Sequence, residues 1–122
     1  MLNKSKRDIG FEGEKIAKEY LISNNLEFIF QNYYTKYGEI DLIFLEKNTK
    51  TLIFIEVKYR KNSNYGDPLE VIDNKKIDRI VMSSKIYLSK NKWKNSVRYD
   101  IIGITKNKIN EKMVINWIKN AF

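Results

Sequence analysis

The stretch "GEIDLIFLEKNTKTLIFIEVKYR", residues 38–60, decides the fold of this chain. Two runs rich in isoleucine, leucine and phenylalanine flank the polar turn "NTK", a pattern that predicts two strands joined as a β-hairpin. The first run also carries Glu39 and Asp41, and the second carries Glu56. A carboxylate on a core strand costs stability unless a partner cation, a metal or water compensates it. The acids therefore call for an explanation beyond the fold.

Alternation along each strand predicts which of these side chains share a face. Successive side chains point to opposite sides, so Glu39 and Asp41 fall together on the first strand. Glu56 and Lys58 fall together on the second. If the strands pair, Asp41 and Glu56 approach each other near one end, with Lys58 beside them. The residues predicted to face the other way are Ile40, Leu42 and Phe44 on the first strand and Ile55, Val57 and Tyr59 on the second.

Neighbouring carboxylates of this kind suggest a specific chemistry. Two carboxylates in contact repel each other, and either a shared proton or a divalent cation such as Mg²⁺ relieves the repulsion. A lysine beside a bound metal orients or helps to deprotonate water and offsets charge on a phosphate under attack. The combination favours phosphodiester hydrolysis. Because Glu-x-Lys is too short to be specific, the alternative is an exposed Glu56–Lys58 pair beside solvated acids.

Hydrophobic periodicity predicts the elements around the hairpin. The first is an amphipathic helix from Lys4 to about Ser23. Asp73 is a candidate N-cap for a second helix from about Asn74 to Lys90. The remaining predicted elements are strands at "LEFIFQNYY" (26–34), "SVRYDIIGIT" (96–105) and "KMVINWI" (112–118), and an irregular loop at "KNSNYGDP" (61–68). The predicted order is αβββαββ, in the α/β class.

Composition excludes several kinds of function. At 122 residues and 43% hydrophobic content, the chain suits one domain, residues 1–122, with a sizeable core. Cysteine and histidine are both absent, which excludes disulfide scaffolds, zinc fingers and every histidine-dependent catalytic site. The apolar runs are too short to span a bilayer, and no signal-peptide pattern follows the first residues. We therefore expect no membrane partner and a cytoplasmic protein.

The net charge of +8 is concentrated in one segment. Eight basic residues and a single acid, Asp78, lie between Lys75 and Arg98. Such a segment, interleaved with Tyr87 and Trp93, suits a nucleic acid, because basic side chains displace counterions from phosphates and aromatic rings stack on bases. The alternative is a solvated helix face. The candidates for phosphate contact are Lys75, Lys76, Arg79, Lys90, Lys92, Lys94 and Arg60.

Several motifs together resemble a known family. The segments "GFEGEKIAKEYL", "GEIDLIF", "FIEVKYRK", "YGDPLEVIDNKKIDRI" and "VRYDIIGI" are similar in order and spacing to the YraN-type family of small bacterial endonuclease-like proteins. The resemblance implies a restriction-endonuclease-like core, a mixed sheet flanked by helices, as in Holliday junction resolvases. It implies that Asp41 and Glu56 are the acidic metal ligands, Lys58 the catalytic lysine, and the Val57 carbonyl a further metal ligand.

The resemblance also draws attention to the first helix. Glu14, in "GFEGE", lies by helical spacing at the edge of the apolar face and could face Asp41 across the sheet edge, and Gly13 permits a close approach. In resolvase-like proteins a glutamate of the first helix contributes to the metal site. The alternative is an ordinary salt bridge between Glu14 and Lys18. Three residues receive less weight: Glu39 as a support of the site, Lys75 as a phosphate contact, and Asp100 as a partner of Arg98 or Arg79.

These inferences favour a Mg²⁺- or Mn²⁺-dependent endonuclease acting on DNA, with branched DNA as the expected substrate. Asp41 and Glu56 would hold the metal, Lys58 would position water and Glu14 would support the site. The chief alternative is a nucleic-acid-binding module with this fold and little or no activity. A weaker one is an interaction protein whose basic face meets an acidic protein or RNA. By resemblance to resolvases a homodimer is plausible.

Overall fold

Two helices and five strands make up the described part of the chain. The computed structural model describes residues 6–60, 73–107 and 109–122, with side chains from Glu12 onward. The elements are α1 (Lys6–Ser23), β1 (Glu27–Thr35), β2 (Gly38–Glu46), β3 (Thr51–Arg60), α2 (Asn74–Lys90), β4 (Ser96–Lys106) and β5 (Met113–Ile118). The predicted order is confirmed, with boundaries within two residues. The predicted loop at 61–68 and the predicted helix start at Lys4 lie outside the described residues.

The strands form one mixed sheet in the order β1-β2-β3-β4-β5. Antiparallel pairing joins β1 to β2, β2 to β3 and β4 to β5, whereas β3 and β4 run parallel. A parallel pair needs a crossover connection, and α2 lies within the segment that links β3 to β4. The α/β class and its mixed sheet are therefore as predicted. Neither described helix is both long and apolar enough to cross a membrane.

The predicted hairpin is present, and its ladder stops short of the acids. β2 and β3 pair from Glu46 opposite Thr51 to Leu42 opposite Ile55. Asp41 and Glu56 would form the next pair, but there the backbone N–H of Val57 donates to Oδ2 of Asp41 at 2.8 Å. The Asp41 side chain thus accepts the hydrogen bond that a backbone carbonyl would have accepted if the ladder had continued. This hydrogen bond holds the Asp41 carboxylate against β3 at the end of the ladder.

A hydrophobic cluster lies on each face of the sheet, one under each helix. Under α1 the buried members are Ala17, Leu21, Leu26, Leu42, Phe44, Ile53, Ile55, Ile102 and Ile104. Under α2 they are Ile40, Ile43, Leu52, Phe54 and Ile80. The prediction that Ile40 shares a face with Leu42 and Phe44 is wrong. Strict alternation fails at Asp41, where the β1–β2 register passes directly from Leu42 to Ile40 and the β2–β3 ladder has already ended.

α1 packs very closely on β3 at Gly13. A Cβ atom added to Gly13 would lie 2.7 Å from Cβ of Tyr59, closer than two carbon atoms can pack. The absent side chain lets the helix backbone approach the sheet. The next residue, Glu14, is thereby brought over the sheet and is only 8% exposed. The close approach thus positions the acid that the sequence placed at the edge of the apolar face.

Gly13→Ala therefore tests whether this contact supports the fold. Alanine usually stabilises a helix interior relative to glycine, by up to about 1 kcal/mol. Here we expect the opposite sign, a loss of about 1–3 kcal/mol, because the new methyl group displaces the Tyr59 stem. Urea unfolding followed by circular dichroism measures the change. Glu19→Ala, an exposed substitution on the same helix, is the control and should be nearly neutral. An equal or higher midpoint for Gly13→Ala would contradict the close contact.

Candidate metal and phosphate site

Three acids from two elements meet beside the end of the hairpin ladder. Carboxylate oxygens of Glu14, Glu39 and Asp41 all lie within 4.8 Å of one another. Glu14 comes from α1, and the other two come from β2. In the described part of the chain no ion pair joins Glu14 to Lys18, whose ammonium lies 4.0 Å from the ring centroid of Phe28. Glu14 is thus part of an acidic cluster, and the alternative of a helix salt bridge to Lys18 does not hold.

Two carboxamides of β1 hold this cluster together, and the sequence analysis missed both. Gln31 donates from Nε2 to Oε2 of Glu14 at 3.3 Å. With its amide nitrogen turned toward the acids, Asn32 donates to Glu14 at 2.8 and 3.1 Å and to Oε1 of Glu39 at 2.6 Å. Asn32 has a positive φ of 57°, a conformation that asparagine tolerates better than most residues. The available signal was the polar pair "QN" inside an aromatic-rich strand.

Glu56 and Lys58 lie on the other side of Asp41. Glu56 is 3% exposed, and its Oε1 lies 3.7 Å from Nζ of Lys58 and 2.5 Å from Nζ of Lys76. As predicted, Glu56 and Lys58 share a face of β3, since Val57 and Tyr59 pack in the cluster under α1. The approach of Asp41 to Glu56 is also as predicted, because both line one cleft. The alternative of an exposed Glu56–Lys58 pair does not hold.

The cleft has room for an ion and a phosphate group. Its volume is about 270 Å³, and its lining residues are Gly38, Glu39, Asp41, Glu56, Lys76, Arg79 and Ile80. The basic members come from the first turns of α2. Asp73 caps that helix as predicted, because its Oδ1 accepts from the backbone N–H of Lys76 at 2.8 Å. The cap therefore fixes the turn that brings Lys76 to Glu56.

Electrostatic repulsion and burial raise the pKa of every acid in the cluster. The pKa of Asp41 is raised well above its usual value by burial and by the charge of Glu56, against the opposing hydrogen bond from Val57. Burial followed by the charge of Glu56 raises the pKa of Glu39. Burial raises the pKa of Glu14 too, although the hydrogen bond from Gln31 opposes the change. A bound cation would relieve this repulsion, since the carboxylates would then face a positive charge.

The pKa values of Lys58 and Lys76 are shifted in opposite directions. Burial and then Lys76 lower the pKa of Lys58. Burial also disfavours the charged form of Lys76, but the charge and hydrogen bond of Glu56 outweigh it and raise the pKa of Lys76. Lys76 therefore serves as the counter-ion of Glu56. Lys58 is the more readily deprotonated of the two, which suits an amine that handles the proton of a water molecule.

The chemistry of the donor set decides which metals fit. Glu14, Glu39, Asp41 and Glu56 offer only carboxylate oxygens, the hard ligands that Mg²⁺ and Mn²⁺ prefer. The chain contains no cysteine or histidine for a softer ion such as Zn²⁺. Glu39, to which the sequence analysis gave less weight, lies in the cluster as close as Asp41 does. The residues present fit a hard divalent cation, and the Val57 carbonyl as a further ligand stays a prediction.

The other predicted phosphate contacts are spread along the molecule. Lys75 is exposed beside the cleft, and Arg60 ends β3 opposite Thr105. Lys90, Lys92 and Lys94 are exposed at the C-terminal end of α2 and in the turn after it, away from the acids. The 16 steps from Asn74 to Lys90 correspond to about 24 Å of helix. The structure thus brings Lys76 and Arg79 to the cleft and leaves Lys90, Lys92 and Lys94 at a distance.

Three residues of the basic segment have structural roles. Arg98 donates to Asp100 at 2.9 Å, and the fully buried Asp100 also accepts from Trp117 and from the backbone of Asn120. The predicted Arg98–Asp100 pair is therefore present, and Arg98 is engaged inside the protein. Tyr87 and Trp93 pack against the cluster under α2, with the Tyr87 ring centroid 5.2 Å from that of Tyr33. Both rings are partly buried there, and their stacking on bases stays a prediction.

The fold and the site together define the class of this protein. The order αβββαββ, the mixed sheet and the meeting of strand acids with Glu-x-Lys match a restriction-endonuclease-like core. The chain belongs to the Uncharacterised protein family UPF0102, the YraN family, which it matches over residues 13–104. The match includes the four acids Glu14, Glu39, Asp41 and Glu56 and the lysines Lys58 and Lys76. The predicted family is thus confirmed.

Individual relatives extend the similarity over nearly the whole chain. A UPF0102 protein of Vibrio parahaemolyticus is 42% identical over 119 residues, 96% of this chain and 93% of the relative. A UPF0102 protein of Vibrio vulnificus is 43% identical over 120 residues, with the same two coverages. One from Coxiella burnetii is 41% identical over 115 residues, 93% of this chain and 90% of the relative. The similarity extends to both helices and all five strands.

Asp41→Asn tests the repulsion in the acidic cluster without any metal. The raised pKa of Asp41 means that ionising it costs stability, and this cost grows as the pH rises from about 4 through the raised value. We therefore expect the variant, in EDTA at pH 7.5, to melt roughly 3–6 °C higher, about 1 kcal/mol for a domain of this size. The difference should shrink toward pH 4. Asparagine can still accept from Val57, and Glu19→Gln, at an exposed site, is the control. A lower melting temperature at pH 7.5 would contradict the assignment.

Proposed function

We propose that this protein is a Mg²⁺-dependent endonuclease that hydrolyses phosphodiester bonds of DNA. The observation that carries the proposal is the meeting of four carboxylates and two lysines at the open end of the β2–β3 ladder. Buried acids of raised pKa and an amine of lowered pKa are typical of catalytic sites. The family name states no activity, so the proposal rests on this geometry.

The acids have the role of holding the metal. Asp41 is central, since it lies in the three-acid cluster and also lines the cleft with Glu56. Glu14 and Glu39 lie on one side of Asp41, and Glu56 lies on the other. A divalent ion bound there supplies Lewis-acid polarisation of a phosphoryl oxygen. Asn32 and Gln31 keep the carboxylates in place through the hydrogen bonds that they donate.

The basic residues have two separate roles in this proposal. Lys58 orients the attacking water and takes up its proton, a role for which the pKa lowered by burial and by Lys76 is suited. Lys76 and Arg79 approach the cleft from α2 and bind the non-bridging oxygens of the phosphate. Lys76 is already paired with Glu56 and keeps that buried acid neutralised. The cleft and Lys58, which lies beside Glu56, would therefore combine a metal site, a proton acceptor and a phosphate grip.

DNA is the favoured substrate because the basic surface continues beyond the cleft. α2 carries basic residues from Lys75 to Lys90, a distance of about 22 Å along the helix. This length corresponds to roughly six or seven base-pair steps of duplex. Lysines along such a path bind the phosphate backbone without reading its sequence. Structure-dependent cleavage, as at a branched junction, fits this kind of grip.

Glu56→Gln and Lys58→Ala test the nuclease activity. We expect purified protein with Mn²⁺ or Mg²⁺ to cut a labelled four-way junction or to nick a supercoiled plasmid. Each variant should lose at least about 100-fold in rate because a metal ligand or the proton acceptor is gone. The matched controls Glu46→Gln and Lys47→Ala, at the opposite end of β2 and in the turn, should cut normally. Circular dichroism checks that all four variants are folded.

The contrary outcomes separate the two functions considered. Cleavage that survives both Glu56→Gln and Lys58→Ala would come from another site or a contaminating nuclease. If the protein binds junction DNA in a salt-dependent manner but never cuts it with either metal, the nucleic-acid-binding module is the correct function. An absence of both cleavage and binding would refute the proposal.

A cation titration tests the metal site without an activity assay. A ligand that binds only the folded state at ten times its Kd stabilises it by about 1.4 kcal/mol, which is roughly 5 °C in Tm for a domain of this size. We expect MnCl₂ to raise the Tm of the unmodified protein by this much, as measured by differential scanning fluorimetry. Asp41→Asn should lose the increase, and Glu19→Gln should keep it. An increase that persists in Asp41→Asn would show that the cation binds elsewhere.

A further inference from the structure

We propose that a groove on the outer side of α2 is a second nucleic-acid subsite, which takes an unpaired base of a single strand beside the cleft. The groove holds about 340 Å³ and is lined by Tyr37, Met82, Lys85, Ile86, Ser89 and Lys90. The inference deepens the proposed function, on which it rests for the nature of the ligand. It adds a preference for DNA with an unpaired strand over continuous duplex.

The groove combines an apolar floor with two cationic positions. Tyr37 and Met82 are 36% and 38% exposed, large apolar side chains that the fold leaves open to solvent. Lys85 and Lys90 lie on the same wall, and neither forms an ion pair within the described residues. No acid is among the lining residues, and Asp78, the acid of α2, lies one turn before Met82. A base can stack on an aromatic ring or contact a thioether, and the flanking lysines can bind its phosphates.

Charge favours a nucleic acid over an apolar peptide as the occupant. A third cation, Lys36, lies 5.2 Å from the ring centroid of Tyr37. Desolvating several unpaired ammonium groups against an apolar peptide would be costly, whereas phosphates would pair with them. Single strands offer both an exposed base and flexible phosphates, whereas the bases of a duplex are stacked inside the helix. The groove therefore suits an unpaired nucleotide.

The groove begins where the cleft ends. Tyr37 of the groove is followed directly by Gly38 of the cleft, and Met82 lies one helical turn after Arg79 of the cleft. From Arg79 to Lys90 α2 extends about 16 Å. A strand whose phosphate lies at Arg79 can therefore continue along the helix into the groove. This continuity links the subsite to the cleavage position.

A buried hydrogen bond fixes the two walls of the groove relative to each other. The hydroxyls of Thr35 and Ser83 are 2.7 Å apart, and Ser83 is fully buried on α2. Thr35 also accepts from the backbone N–H of Tyr37 at 3.1 Å. The turn that carries Tyr37 is thus bound to the helix that carries Met82 and the lysines. A preformed groove reduces the ordering cost of binding a flexible strand.

Binding of a single strand without metal tests the subsite separately from cleavage. The probe is fluorescein-labelled oligo-dT in EDTA, compared by anisotropy with the same strand carrying abasic sites and with a blunt duplex. We expect dT to bind more tightly than the abasic strand. Tyr37→Ala should weaken dT binding roughly five- to hundredfold and remove the difference, because base stacking is lost. Tyr37→Phe keeps the ring and should bind normally.

The lysines provide an independent readout. For single strands, each phosphate contact contributes about 0.7 to the slope of log affinity against log salt. Lys85→Ala and Lys90→Ala should each reduce the slope by this amount, whereas the control Lys112→Ala, an exposed lysine before β5, should not. Equal binding of dT and the abasic strand, or dT binding unchanged in Tyr37→Ala, would overturn the subsite. Sedimentation without DNA tests whether a second copy of the protein occupies the groove instead. Self-association that Tyr37→Ala abolishes would also overturn the subsite.

The two proposals can fail separately. If Tyr37→Ala leaves dT binding intact while Glu56→Gln abolishes cleavage, the subsite is refuted and the nuclease is retained. If the unmodified protein never cleaves but loses dT binding with Tyr37→Ala, the subsite is retained and the nuclease is refuted.

Discussion

The hydrogen bond from the Val57 backbone to the Asp41 carboxylate is the contact on which the site depends. It occurs where the β2–β3 ladder ends, so it satisfies a backbone donor that has no partner on β2 and fixes a half-buried carboxylate in the same step. A continued ladder would have given Val57 a backbone acceptor and left Asp41 no such donor. Instead the strands leave an opening, and Glu56 and Lys58 line up on β3 beside it. The same hairpin therefore supplies both the core residues below the opening and the acidic and basic side chains that lie at it.

Around this contact the protein accepts a local electrostatic cost. Burial and mutual repulsion raise the pKa of three acids. The groups that oppose this include the amides of Gln31 and Asn32, the backbone N–H of Val57 and the ammonium of Lys76. Such a cluster is less stable than an apolar one of equal volume. A cation bound during function would relieve the repulsion between the acids, which would explain why the protein keeps them together. In the proposed nuclease, stability and activity would thus be opposed at this site, as is common for catalytic sites.

α2 connects the chemistry to the surface that would bind the substrate. Its first turns bring Lys76 and Arg79 to the cleft, its buried face closes the second hydrophobic cluster through Ile80, and its outer face forms the groove with Tyr37. If both proposals hold, one helix couples core packing, phosphate binding and recognition of an unpaired strand. The sequence suggested a uniform basic segment, but the structure divides it, because Arg98 is engaged with Asp100 inside the protein.

By itself, the sequence determined the elements, their order, the hairpin and the approach of Asp41 to Glu56, because these follow from local periodicity and from short-range pairing across a four-residue connection. It did not determine that Ile40 changes face, that Asn32 joins Glu14 to Glu39, or that Tyr87 packs on Tyr33, since each depends on contacts between residues distant in the chain. Only the tertiary structure decided those points. The physical reason is that burial and electrostatic environment arise when α1, α2 and the sheet pack together, and local sequence carries little information about either.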